Sequence, residues 1–214
     1  MNHVRQMGIA ALLALGVLCV GCASSGTGAK SVISSMVDTR VEVVKAQADV
    51  SQTLAALEAL EQPGGDLTAK FTAFKSAVSS TNAQKNRAEQ RATSMRIDSA
   101  EYQKRWEQET SELNNPELKS SAEDRRAHVR AKYDQIRDLA GESRQQYAAF
   151  YTDLLDIQQY LALDLNASSV AKAKPTIAKA REDGFALNVK LNQIVAHMNE
   201  LTAEMNPSGK VPEK

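Results

Sequence analysis

The sequence predicts an all-α fold: an elongated antiparallel coiled-coil helical bundle of about five helical segments, set behind an N-terminal export segment. Apolar residues return at alternating steps of three and four over several heptads, the spacing that lays a continuous stripe along a helix. Gly (10) and Pro (5) are few and aromatic residues make up only 5%, which is too little turn chemistry for an all-β fold. A hydrophobic fraction of 43% over 214 residues supplies a core and sets the chain apart from disordered sequences.

The first element is an address. Arg5 opens a short polar region, Ile9 to Val20 form an apolar run, and Gly21 and Ala23 flank Cys22. The run is about 12 residues long, whereas a permanent membrane span needs about 20. It reads as the core of a cleaved signal. Leu18-Cys19-Val20-Gly21-Cys22 resembles a bacterial lipobox, with Cys22 as the lipidated residue and Cys19 standing where Leu is usual. Residues 1–21 are therefore expected to be removed, and residues 22–33, which begin with a Ser- and Gly-rich stretch, to form a flexible tether. Both cysteines fall in the first 22 residues, so the body can build neither a disulfide nor a thiolate metal site. The resemblance to a lipobox implies an anchored protein of the bacterial envelope, facing the periplasm, and Ala23 after the cysteine favours the outer over the inner membrane.

The bundle is expected over residues 34–206. Its first segment, about 34–61, carries Val43, Ala46, Val50, Thr53, Leu57 and Leu60 on one seam. Pro63-Gly64-Gly65-Asp66 stops it, because Pro removes a helical donor and paired Gly favours a turn. The second segment starts on Leu67 behind a capping Asp66 and runs through Phe71, Phe74, Val78, Thr81 and Lys85 to Met95. Asp98-Ser99-Ala100-Glu101 has the form of a capping box and predicts a restart before Tyr102, Trp106 and Leu113. Asn114-Asn115-Pro116 ends that unit.

A second capping-box pattern, Ser120-Ser121-Ala122-Glu123, opens the longest segment, with Val129, Ile136, Ala140, Ser143, Phe150, Leu154 and Leu161 on its seam. At about 45 residues it would reach 65 to 70 Å. After a turn at Asn166-Ala167-Ser168-Ser169, Pro175 suits a first helical turn, and Ile177, Gly184, Leu187, Ile194 and Met198 continue the pattern. Asn206-Pro207-Ser208-Gly209 closes it, leaving 207–214 as a disordered tail. A strict heptad repeat supercoils neighbouring helices left-handedly, and the short connections make them antiparallel. The longest segment is expected to run against the second and third at one end and against the first and fifth at the other.

Pro63-Gly64-Gly65-Asp66-Leu67 with Lys70-Phe71, then Trp106 and Leu113, then Tyr133 and the later Leu161-Ala162-Leu163-Asp164-Leu165-Asn166-Ala167, resemble a family of bacterial lipoproteins known as domain of unknown function 2959. The resemblance spans Val37 to Asn206. Leu163 and Asp164 stand where that family carries Lys-His. It implies an exported helical protein of coiled-coil character and brings no catalytic residue with it.

Chemistry-bearing motifs are sparse. Lys plus Arg and Asp plus Glu number 26 each, so no net field favours a nucleic-acid backbone. His128 and His197 are the imidazoles of the mature chain, without a neighbouring His or Cys, and read as solvated or interhelical groups rather than metal ligands. Phosphate-cradling loops and nucleophile elbows do not occur, so the expectation is no catalytic residue, no metal and no cofactor. Tyr151 and Tyr160 fall off the strict seam and, with Trp106, are the candidate partner surface, although a core role suits Trp106 better. Arg125, Arg126, His128 and Arg130 form a local basic patch that Glu123 and Asp124 balance. The expected function is that of a non-enzymatic structural or adaptor protein, anchored to the membrane through the lipid on Cys22 and engaging an envelope protein or a second copy of itself. The alternative is a lipid-handling or membrane-remodelling bundle, suggested by the small and polar seam positions Thr81, Lys85, Ala140, Ser143 and Gly184, which weaken helix–helix contact. An envelope hydrolase is the third.

Overall fold

The computed structural model describes residues 24–212, with side chains from residue 28 onward. The export segment and Cys22 lie outside the described residues. Four helices make up the body: α1 (Ser24–Glu61), α2 (Leu67–Ser111), α3 (Pro116–Leu163) and α4 (Ala167–Met205). They run up, down, up and down. Antiparallel register shows in the bridging pairs, with Gln47 opposite Asn192 and Ser51 opposite Asn188 between α1 and α4, and Lys132 opposite Glu200 and Lys179 opposite Asp153 between α3 and α4. The 48 residues of α3 span about 72 Å.

The neighbours of each helix differ from expectation. α1 packs closely on α2 and α4, α3 packs on α4, and the diagonal pairs α1/α3 and α2/α4 make no backbone approach within 8 Å. The longest helix therefore leans on one partner along its length. Its other neighbour, α2, is held more loosely than any other adjacent pair.

Five expected segments become four helices because α2 does not break at residues 98–101. Ser99 is buried and Tyr102 and Trp106 continue into the core beyond it, so burial on both sides carries the helix through a sequence that could have capped a new one. α3 likewise begins at Pro116, four residues before the capping-box pattern, where Asn115 accepts hydrogen bonds from the Glu117 and Leu118 amides. Pro175 lies inside α4 and not in its first turn, which is capped by Asn166.

The expected tether is also corrected: α1 starts at Ser24 and is helical throughout residues 24–33. Val32 and Met36, each 1% exposed, bury one face there, and such tertiary burial outweighs the low helix propensity of Ser and Gly. Nor is the tail shapeless up to residue 212. Asn206 Nδ2 donates to the Lys210 carbonyl and Arg40 Nη2 donates to the Pro212 carbonyl.

The family-like turn residues are explained by local geometry. Gly64 and Gly65 have φ of 79° and 75°, a region costly for side chains bearing Cβ. Lys70 Nζ donates to the Gln62 and Gly64 carbonyls, closing the turn, and Asp66 Oδ1 accepts from the Thr68 and Ala69 amides. Charge-assisted bonds and an N-cap thus hold the α1–α2 corner.

The core falls into two clusters. One, toward the α1–α2 and α3–α4 turns, is built on Leu57, Phe74, Phe150, Leu154, Leu161 and Ile177. The other, toward the α2–α3 turn, holds Met36, Met95, Val129, Ile136, Met198 and Leu201. Between them α1 and α2 are joined by polar contacts. Thr53 and Thr81 hydroxyls meet at 2.9 Å, and buried Gln84 donates to the Glu42 carbonyl and to its carboxylate. The Lys45 ammonium and the Gln84 amide hold Glu42 below the ordinary glutamate pKa, against the opposing cost of its desolvation.

A laterally open cavity between helices 2 and 3

The loose α2/α3 seam, at the junction of the two clusters, encloses a cavity of about 600 Å³. α2 and α3 do make side-chain contacts nearer each end, where Arg126 pairs with Glu107 and the Tyr147 hydroxyl donates to Asn82 Oδ1. In between, Ala88 and Ala92 of α2 face Ala140 of α3. Small side chains at matching heights on two antiparallel helices leave a space that neither backbone fills. On α3 the cavity extends from Tyr133 to Tyr147, about 21 Å of helix.

Its floor is apolar, formed by Val43 and Val50 of α1 and Leu187, Ile194 and Met198 of α4. Its rim is cationic: Lys85, Arg96, Arg137 and Arg144 face one lining carboxylate, Glu89. Lys85 is paired with Glu89 at 2.7 Å, and Arg137 with Asp134 and Asp138 at 2.6 and 3.0 Å. Arg96 and Arg144 have no ion pair among the described residues. Ser143 is 6% exposed and its Oγ has no hydrogen-bond partner, although such a buried hydroxyl ordinarily finds one. Desolvation is the chief cause that raises both tyrosines at the two ends above the usual range, Tyr133 and, well above it, Tyr147.

Four of the five small or polar seam positions singled out in the sequence, Thr81, Lys85, Ala140 and Ser143, line this cavity. Gly184 does not. A Cβ there would lie 2.7 Å from Leu54 Cδ2 and 3.0 Å from Phe150 Cε2, so this glycine permits close approach of neighbouring side chains and is no weak point. Arg96, Arg144, Tyr133 and Tyr147 were not foreseen as cavity residues. The available signal was the coincidence in height of Ala88 and Ala140 across the α2–α3 turn.

The aromatic residues proposed as a partner surface do not converge. Trp106 is half-buried near the α2–α3 turn, 5.3 Å from the Tyr102 ring. Tyr151 stacks on Tyr147 at 5.5 Å and packs against the core. Tyr160, 39% exposed, lies about 50 Å from Trp106 along the bundle, counting 1.5 Å per residue from the level of Arg126 and Glu107. The basic patch is divided between neighbours: Arg125 and His128 reach Glu204 of α4, and Arg126 reaches Glu107 of α2. His197 lies on α4, its Nδ1 3.6 Å from Glu200. Among the described residues no three metal-capable side chains cluster, and no helix is long and apolar enough to cross a membrane.

Fold and cavity together define an all-α protein of the four-helix-bundle class with a laterally open, mainly apolar chamber of the size that small ligands occupy. The chain belongs to the family described as protein of unknown function (DUF2959), whose model matches residues 26–206. No curated protein and no solved structure matches it.

Proposed function

We propose that this protein is a non-enzymatic lipid-handling bundle of the bacterial envelope, which holds an apolar ligand between α2 and α3 while a lipid on Cys22 keeps it at the membrane. The observation that carries the reading is the cavity: about 600 Å³, floored by aliphatic side chains and open along one seam. An aliphatic floor left open to water forgoes the burial that a closed core would give it, and a bound apolar ligand supplies that burial. Support for a non-enzymatic role comes from the lining, where the one carboxylate, Glu89, is tied to Lys85 and no imidazole stands beside it to form an acid–base pair.

The test is lipid extraction from the full-length protein purified from membranes, beside an Ala140→Phe variant whose ring occupies the cavity. A lipid retained by the wild type and lost from the variant supports ligand holding. Equal retention by both would place any bound lipid elsewhere and overturn the reading.

Phe185 and Val189, 56% and 58% exposed and one turn apart on α4, favour a second reading as an adaptor that engages an envelope protein or its own copy. Crosslinking in intact cells, with Cys22→Ser as the unanchored control, distinguishes the two. A dominant protein partner lost in that control and in Phe185→Ser would favour the adaptor.

A further inference from the structure

Building on the ligand-holding reading, we infer that the ligand is a single-chain amphiphile with an anionic head, carboxylate or phosphate, seated at Ser143 and Arg144 while its chain lies along the slot toward Met95 and Met198.

Volume accommodates a single chain. A methylene fills roughly the space of one liquid water, about 30 Å³, so a cavity of 600 Å³ takes on the order of twenty such groups. One long acyl chain with its head fits. Length is set by α3: from Ser143 to Tyr133 the slot runs along ten residues of that helix, about 15 Å, and a zigzag chain of 1.52 Å bonds advances about 1.25 Å per carbon, so about twelve carbons lie within it and a longer tail reaches past the Tyr133 end.

The rim determines the sign of the head. Four cationic side chains face one carboxylate there, and the partners Asp134, Asp138 and Glu89 satisfy Arg137 and Lys85. The remaining positive charge belongs to Arg96 and Arg144. Only beside Arg144 does the wall also offer a buried donor with nothing to bond, the Ser143 hydroxyl. Lys85 stands across the slot on α2, paired with Glu89, its Nζ 5.8 Å from the centre of the Tyr147 ring. An oxyanion accepting from Ser143 and Arg144 satisfies the orphan hydroxyl and the free guanidinium together, and a charged hydrogen bond in a half-dry site is stronger than a neutral one. At the other end of the slot Met95 and Met198 give a floor of sulfur and hydrocarbon suited to a methyl terminus, with Arg96, Arg137 and Tyr133 along its rim.

The probe pair is cis-parinaric acid and its methyl ester, which share one fluorescent chain and differ in charge at the head. Both are titrated into the full-length protein in amphipol, with helicity checked by circular dichroism. The acid is expected to bind about ten-fold more tightly than the ester, as one charged hydrogen bond allows. In Ser143→Ala/Arg144→Gln that preference disappears while ester affinity holds, and Ala140→Phe excludes both probes. Equal affinity for acid and ester in the wild type, or a preference untouched by the double substitution, overturns the anionic head and leaves the cavity reading intact. Binding of both probes unaffected by Ala140→Phe overturns the cavity reading itself. Competition by oleoyl lysophosphatidic acid and by oleic acid separates the two sources of the anion, and either one displacing parinaric acid better than oleoyl alcohol does supports the inference.

Discussion

Filling part of the cavity should stabilise the protein and weaken its ligand binding, a combination that core overpacking does not produce. Ala92 and Ala140 face the cavity from opposite helices, and replacing both by Leu adds six carbons, about 180 Å³ at roughly 30 Å³ each. That is under a third of the 600 Å³ available. Each Leu brings three carbons, worth about 2.4 kcal/mol if wholly withdrawn from water. Half that value is appropriate at a seam open to solvent, and lost rotamer freedom removes another 0.5 to 1 kcal/mol or so. The net gain is about 0.5 kcal/mol per site and about 1 kcal/mol for the pair, a rise in Tm of about 2 to 4 °C for a domain of this length. Were the alanines tightly packed, each Leu would instead cost about 1 to 3 kcal/mol. Thermal melts followed by circular dichroism, with parinaric acid titration on the same samples, give both readouts. A lowered Tm, or a raised Tm with ligand binding intact, would refute the reasoning.

Gly184→Ala should lower stability by about 1 kcal/mol in urea melts: the helix gains roughly 1 kcal/mol in propensity, but the methyl meets Leu54 at 2.7 Å and Phe150 at 3.0 Å, a clash of about 1 to 3 kcal/mol. Lys70→Met removes both carbonyl contacts across the α1–α2 turn and should cost about 1 kcal/mol, with faster amide exchange confined to residues 62–66. Glu42 has a depressed pKa in the folded protein, so its ionised form contributes stability that is complete above the ordinary value of 4.5 and is lost as pH falls through the lower folded value. Comparison of wild type with Glu42→Gln should therefore show a stability difference that is flat at neutral pH and shrinks below pH 4.5. A difference that grows on acidification would contradict the assigned Lys45 and Gln84 contacts.

How far the chain could be read depends on whether the information was local. Heptad seams identified most of the buried positions, Leu57, Phe74, Phe150 and Ile194 among them, because an α-helix converts sequence spacing directly into a face. Turns at Pro63-Gly64-Gly65 and Asn115-Pro116 were legible for the same reason. Errors arose where local preference and burial disagree: the Asp98–Glu101 box inside α2, the Ser-rich start of α1, and Pro175 within α4. Gly184 was misread because a small residue can mark either a gap or a tight contact, and the size of its neighbours decides between them.

Composition and periodicity alone established an all-helical, antiparallel bundle, the places where the chain turns back, and the balance of acidic and basic side chains. They did so because helix formation, capping and turn chemistry act over a few residues. Helix adjacency, the looseness of α2 against α3, and the meeting of Lys85 with Ser143 and Arg144 around one cavity depend on side chains more than fifty positions apart in the chain. No periodicity records which of several equally apolar stripes will face each other. That is decided only when the helices compete for the same buried surface.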